Sequence, residues 1–389
     1  MKLHTRQDAF RKLLMKMHTK MTVPSERGTR AAPSHGGRRR FAGAMLAGAA
    51  AIGAMPAVLR GQPKVQLKLS HYLPPSHGLH TDFMEPWARE MEAKSQGAVT
   101  IQLSAGTSAL GQAQNQLEQV RNGIVDIAFG ICGLPRGRMT RSTIIEMPMP
   151  MPMPMPMPML VRRAGAGSRA LWNLYPQMLG SDYAGIKPLV LMTHNGGLIH
   201  TRDKQVRTPD DLRGLRIRTP SPTISMMLEF LGASPVGMPP GQVYENMQRG
   251  VLDGAAFPWD PVRAFKLGEV SKFHCDLGLY TAAFWFGMND RNYQSLPADI
   301  RKVIDQASGQ ALLGKIQGWW DKWDAAGKAS AVERGNTILT LGGEERAAWE
   351  RTLVPLQNKA MIDFEKQGIP QARDIYIAMQ REVAKVERA

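Results

Sequence analysis

Residues Asp211 to Asp260 read DLRGLRIRTPSPTISMMLEFLGASPVGMPPGQVYENMQRGVLDGAAFPWD. The hydrophobic pattern predicts strand, helix, strand, helix, strand, with an arginine on the first strand. The end of this stretch is foreshadowed earlier in the chain. Gln116 to Ile131 runs QLEQVRNGIVDIAFGI and Val243 to Trp259 runs VYENMQRGVLDGAAFPW, each an amphipathic helix stopped by Gly, then a hydrophobic strand with Asp three residues after that Gly. Gly123 and Gly250 suit the left-handed position just past a helix end, and the apolar segments behind them suit strands buried on both faces. Two α/β units built on one plan imply two lobes with a small-molecule cleft between them.

Working outward, Val65 to Ser70 reads as a first strand, followed by the loop HYLPPSHGLH, a helix from about Thr81 to Ser95 and a strand from Val99 to Leu103. The helix ending at Asn122 and the strand to Ile131 complete β-α-β-α-β, which predicts a mostly parallel sheet. Ala164 to Leu179 reads as a helix, and Lys187 to Met192 as a strand leaving that lobe. After Asp276 the pattern LGLYTAAFWFGMN marks a returning strand. Helical periodicity fills the rest over Pro297 to Ala331, Glu344 to Glu365 and Ala372 to Arg388, where Trp319, Trp320 and Trp323 read as packing residues. The expected organisation is an export leader over 1–62, a first lobe from 63–193 plus about 276–325, and a second lobe from 194–275 plus about 326–389.

The 389 residues can bury one large or two medium cores, with 43% hydrophobic and 21% charged residues. A net charge of +16 suggests nucleic acid until it is located: Met1 to Arg40 holds eleven Lys/Arg against Asp8 and Glu26, leaving only +7 for everything after it. With no Lys/Arg stripe interleaved with aromatics, no nucleic-acid partner is expected. The basic segment instead leads through Arg38-Arg39-Arg40-Phe41 into the weakly apolar AGAMLAGAAAIGAMPAVL. Paired arginines before a Gly/Ala-rich stretch suit a signal peptide of the twin-arginine or general secretory route, cleaved between Ala54 and Gln62, and hence a soluble periplasmic product.

Catalytic patterns are missing from the sequence: no GxSxG, P-loop or GxGxxG after a strand is present. His71, His77 and His80 surround two prolines without metal-ligand spacing and read as loop histidines, so neither metal nor cofactor is expected. Met147 to Met159 alternates Met and Pro, which removes every second backbone donor and predicts polyproline II or irregular loop. Its thioethers would suit Cu(I), although repeat expansion in a tolerant loop accounts for the run. Cys132 and Cys275, far apart in sequence, read as small buried hydrophobes rather than a disulfide.

Taken together, HYLPPSHGLH, EPWAREMEAKSQGAVTIQL, LEQVRNGIVDIAFGI, HTRDKQVRTPDDLRGLRIRTP, LGASPVGMPPGQVYENMQRGVLDGAAFPW and the helical tail resemble the dicarboxylate-binding (DctP) type of solute-binding protein of tripartite ATP-independent periplasmic (TRAP) transporters, over about Val65 to Val383. The resemblance implies an α/β periplasmic-binding-protein fold with hinge strands and long C-terminal helices. It also implies a receptor, not an enzyme, that closes over an organic acid and delivers it to a TRAP membrane permease. A binding protein of an ATP-driven transporter shares the two-lobe logic but not DLRGLRIRTP or this tail; a periplasmic enzyme is the other alternative.

In that family an arginine on the strand after the Asp-Leu-Lys/Arg-Gly-Leu element grips the ligand carboxylate, and it falls here on Arg218. Arg216 and Arg218 share a strand face by their spacing of two, and a guanidinium fork matches a carboxylate bidentately. Arg216 reads instead as a surface ion-pairing residue with Asp210, Asp211 or Glu229 as partner. The resemblance further implies polar contacts from Tyr72 and Gln112 and cleft-facing Phe257 and Trp259, while Arg138 is a candidate second cation. Many relatives carry Asn at the place of Phe257 and an aromatic at that of Pro240. One anion clamp among apolar walls then suits a monocarboxylate with a hydrophobic or aromatic body, with dicarboxylates and keto acids also open.

Overall fold

The computed structural model describes residues 65–148 and 161–387. The expected export leader and most of the Met-Pro run lie outside the described residues. Alternation and Ile/Val/Leu content give the strands β1 (Val65–His71), β2 (Val99–Ser104), β3 (Ile127–Ile131) and β4 (Ile186–Thr193), interleaved with the helices α1 (Glu85–Lys94), α2 (Gln116–Arg121) and α3 (Ala164–Leu174). The second half continues with β5 (Gly197–Thr201), β6 (Arg216–Thr219), α4 (Pro222–Phe230), β7 (Ser234–Gly237), α5 (Val243–Gln248), β8 (Gly254–Phe257) and the short α6 (Asp260–Ala264). Then come β9 (Phe273–Tyr280), β10 (Ala283–Asn289), α7 (Asp290–Ser295), α8 (Ala298–Gln306), α9 (Gln310–Glu333), β11 (Thr337–Leu339), α10 (Gly343–Lys366) and α11 (Ala372–Glu387).

Two sheets result. The first runs β2-β1-β3-β10-β4, with β1 parallel to β2 and β3, and β10 antiparallel to its neighbours. The second runs β11-β9-β5-β8-β6-β7, with β6 parallel to β7 and β8. The repeated sequence unit is a repeated structural unit. Gly123 and Gly250 sit at φ +70° and +73° just past α2 and α5, the left-handed turn that lets each helix stop and the chain enter its strand. The following aspartates clamp the neighbouring parallel strand in the same way. Asp126 donates its N–H to Lys68 O and accepts the Lys68 N–H at 2.7 Å, while Asp253 donates to Arg216 O and accepts the Arg216 N–H at 2.8 Å.

Two direct strand-to-strand connections pass between the sheets, from β4 to β5 and from β9 to β10, and the helices from β10 to β11 make a third passage. The two crossings are tied together, since Thr281 Oγ donates to His194 O at 2.7 Å and the Ala282 N–H donates to His194 Nε2 at 2.9 Å. Across both lies α9, whose 24 residues span about 36 Å at 1.5 Å per residue. It packs on α3 and β4 on one side and on α6 and β11 on the other. Gly327 permits this: a Cβ there would stand 2.0 Å from the Trp259 carbonyl oxygen. The last helix, α11, returns to pack on α3, with Asn173 Nδ2 donating to Glu382 Oε2 at 2.8 Å. Cys132 and Cys275 are both buried and free.

Candidate functional site

Four parallel strands end at the same place. Tyr72 follows β1, Ile131 closes β3, Arg218 and Pro220 lie at the end of β6, and Phe257 and Pro258 at the end of β8; all line one cavity between the two sheets. A crevice beyond the carboxyl ends of α/β strands is where such folds hold ligands. The crossing segments close its back with His194, Tyr280 and Ala282, and α9 adds Trp320. The wall is mainly apolar.

Arg218 is 1% exposed and no carboxylate pairs with it among the described residues. Its Nε and Nη1 donate to the carbonyls of Met238 and Ala256, each at 3.1 Å, and its Cζ lies 4.0 Å from the centroid of the Phe257 ring. That cation–π contact and two carbonyls hold the guanidinium in place while Nη2 keeps no partner. Burial pushes the Arg218 pKa down to about 10, against the opposing pull of Tyr280 and Tyr72, so the group stays positive at neutral pH. Arg216, two residues earlier, is exposed and meets Asp253 bidentately, Nε to Oδ2 at 2.8 Å and Nη2 to Oδ1 at 2.6 Å. Its partner is thus not one of the acids named from sequence.

Three further wall atoms are buried without a hydrogen-bond partner: the Tyr280 hydroxyl, Trp320 Nε1 and Asp260 Oδ2. Burial raises the pKa of both the Tyr72 and the Tyr280 phenol, so both are protonated donors at neutral pH. Near Asp260, His77 accepts the Leu79 N–H on Nδ1 at 3.1 Å, which places the ring proton on Nε2 in the neutral form. Nε2 lies 2.7 Å from Asp260 Oδ2, and that carboxylate oxygen, with two lone pairs, keeps the capacity to accept a further donor.

Of the residues named from sequence, Arg218, Tyr72 and Phe257 meet at this cavity and three do not. Trp259 lies off this cavity: β8 ends at Phe257, Pro258 breaks the alternation, and the indole packs on His200 and His274 at 5.6 and 5.1 Å. Gln112 is exposed ahead of α2; it is Gln116 that folds back, donating to the Leu110 and Gln112 carbonyls. Arg138 is exposed on its loop, 3.4 Å from Glu118. Sequence reasoning missed Tyr280, Trp320, His77 and Asp260. Trp319 and Trp323 do pack, the one stacked on Phe83 and the other donating to Asp82 at 2.7 Å.

A second bridge joins the two halves beside the cavity. Glu146 is 1% exposed, accepts the Ala283 N–H at 3.0 Å and shares a short hydrogen bond with Ser221 Oγ, the N-cap of α4. Burial pushes its carboxyl up to about 8, opposed by those two hydrogen bonds.

The family model described as bacterial extracellular solute-binding protein, family 7 (DctP), matches residues 69–363. The chain belongs to this family. Among solved structures, a TRAP solute-binding protein from Rhodoferax ferrireducens T118, in complex with copurified benzoate, is 30% identical with a TM-score of 0.78, covering 84% of this chain and 99% of its own. A marine-metagenome TRAP solute-binding protein specific for aromatic acid ligands, with co-crystallised 3-hydroxybenzoate, is also 30% identical, with a TM-score of 0.77 and coverage of 83% and 98%. A curated relative, the outer membrane transporter protein TsaT of Comamonas testosteroni, is 25% identical over 86% of this chain and 96% of the relative. The DctP-type protein is therefore a TRAP extracytoplasmic solute receptor with the two-lobed α/β fold, as the sequence resemblance implied. No helix of the described residues is long and apolar enough to cross a membrane.

Proposed function

We propose that this receptor is periplasmic, captures an aromatic or similarly compact apolar monocarboxylate in the cavity between its sheets, and delivers it to a TRAP membrane permease. The observation that carries the reading is Arg218: a buried cation with an unused Nη2 and no carboxylate partner, at an apolar wall. Burying an unpaired charge costs several kcal/mol, a cost that a ligand carboxylate offsets. The donors Arg218 Nη2, Tyr280 Oη and Trp320 Nε1 together suit a carboxylate with several acceptor sites, with Tyr72 close by and the Phe257 face left for an apolar body. Closure would turn on the tied crossings at 193–197 and 280–283, with the lobes divided there. The aromatic acids held by the two solved relatives at 30% identity support the ligand class.

The test is a thermal-shift series on the purified protein with benzoate, phenylacetate, succinate and glucuronate. Aromatic monocarboxylates should raise Tm in proportion to the logarithm of ligand excess, since they bind only the native state. A shift with succinate or glucuronate and none with the aromatic acids would overturn the ligand class.

A further inference from the structure

The wall carries one feature that a plain monocarboxylate leaves unused. Among its buried polar atoms without a partner, three are donors and one is an acceptor, Asp260 Oδ2. Asp260 is 6% exposed, and its own N–H is spent on Asp324 Oδ1 at 2.8 Å, so the backbone is anchored while the carboxylate is offered to the cavity. His77 stands 2.7 Å away and turns its protonated Nε2 toward that carboxylate, which fixes it and leaves the oxygen a lone pair for one more donor.

An aromatic wall runs between this acceptor and the anion clamp. From Arg218 the Phe257 ring lies at 4.0 Å, Phe257 stacks on Phe265 at 6.4 Å, and Phe265 meets the His77 ring edge-on at 6.1 Å. Two phenyl rings thus separate the cation from the His77–Asp260 pair. A ligand lying along them presents its carboxylate at one end and whatever it carries on its ring at the other.

We propose that Asp260 is a specificity-determining residue that accepts a hydrogen bond from a hydroxyl on the ring of the bound acid, with His77 as its positioning residue. The inference rests on the aromatic-carboxylate reading above and adds the substituent to it. One acceptor among apolar neighbours matches one hydroxyl proton. An ammonium carries three N–H donors and would leave two of them buried without partners, each at a desolvation cost. A ring without a donor would instead leave the Asp260 oxygen unsatisfied in a closed cavity, and it is the unpaired polar group of the site that rejects such an analogue.

Calorimetric titration of the full protein with benzoate, with 2-, 3- and 4-hydroxybenzoate, and with 4-(aminomethyl)benzoate tests this directly. At least one hydroxybenzoate should bind about 10- to 100-fold more tightly than benzoate, the range expected for a hydrogen bond to a charged group. In Asp260→Ala that preference should shrink to within about 3-fold, because the hydroxyl loses its acceptor while benzoate is relieved of the oxygen it leaves unpaired, an outcome that a merely structural role for Asp260 does not produce. In His77→Gln the preference should weaken without vanishing. Equal affinity of the wild type for benzoate and all three isomers overturns the inference and leaves the aromatic-carboxylate reading standing, and it does so even where Asp260→Ala fails to fold. Tighter binding of the aminomethyl acid overturns it in favour of an ammonium subsite. Absence of binding by every one of these acids overturns both readings.

Discussion

The guanidinium of Arg218 stands 4.0 Å from the centre of the Phe257 ring, and the two residues come from neighbouring parallel strands, β6 and β8, that end at the same cavity. The ring face stabilises the cation without consuming a donor. Arg218 is thereby held with one edge of its fork still unspent.

An unpaired buried charge lowers the stability of the empty protein. Replacing Arg218 with Met, of similar length and apolar, removes that cost and forfeits the hydrogen bonds to the Met238 and Ala256 carbonyls, about 1 kcal/mol each. Because the charge costs several kcal/mol, the ligand-free Arg218→Met protein should be more stable by about 1–3 kcal/mol. Urea denaturation measures it; a lower midpoint than wild type contradicts the picture of an uncompensated cation.

Tyr280 should behave differently. Its hydroxyl has no hydrogen-bond partner among the described residues, so Tyr280→Phe should leave ligand-free stability within about 0.5 kcal/mol of wild type. The same change should weaken aromatic-acid binding about 5- to 10-fold, the worth of one ordinary hydrogen bond. Titration calorimetry beside thermal denaturation separates the two; a large stability loss with intact binding would assign the hydroxyl to the fold instead.

Glu146 gives a pH dependence whose sign is fixed. Its folded pKa of about 8 lies above the ordinary 4.5, so between these values the folded state keeps a proton that the unfolded chain has released. Its contribution is complete below pH 4.5 and is lost as pH rises through 8. Gln at this position reproduces the neutral form, accepting from Ala283 and donating to Ser221. Glu146→Gln should therefore gain on wild type by about 1–4 kcal/mol between pH 5 and pH 8. Denaturation midpoints at both pH values decide it, and parallel pH curves for the two proteins would refute it. Asp324 and Asp182, pushed by burial to about 7 and about 6, add to the same slope in both proteins. The buried neutral histidines His200 and His274, lowered to about 4 and about 3, oppose it below the ordinary 6.5.

At Gly327 the long helix α9 passes the turn that presents Asp260. A methyl there would meet the Trp259 carbonyl at 2.0 Å, so Gly327→Ala must push the helix off that turn. A loss of about 1–3 kcal/mol is expected, together with weaker ligand binding. Wild-type stability in this variant, measured by urea denaturation, would show that the close approach is not a constraint.

The α/β units were legible because their information is local: helix, left-handed Gly, strand and clamping Asp all fall within about sixteen residues, twice. Arg218 was named through the family resemblance, and its place on a strand just before Thr219 and Pro220 agrees with that. The remaining wall was not legible. Tyr280 and Trp320 reach the cavity only because two crossings and one long helix meet behind it, and His77 and Asp260 are 183 positions apart in sequence. Trp259 was named through the resemblance, and its place off the cavity follows from Pro258, which ends the strand just before it. The apolar stripe of the last helix says that it packs without saying on which element, and the contact with α3 is not local in sequence.

The most direct test of the account is a crystal structure of the receptor grown with benzoate. The account predicts a ligand carboxylate oxygen about 2.7–2.9 Å from Arg218 Nη2, with the ring lying against Phe257. Benzoate seated elsewhere, with Nη2 still unpaired, would contradict it.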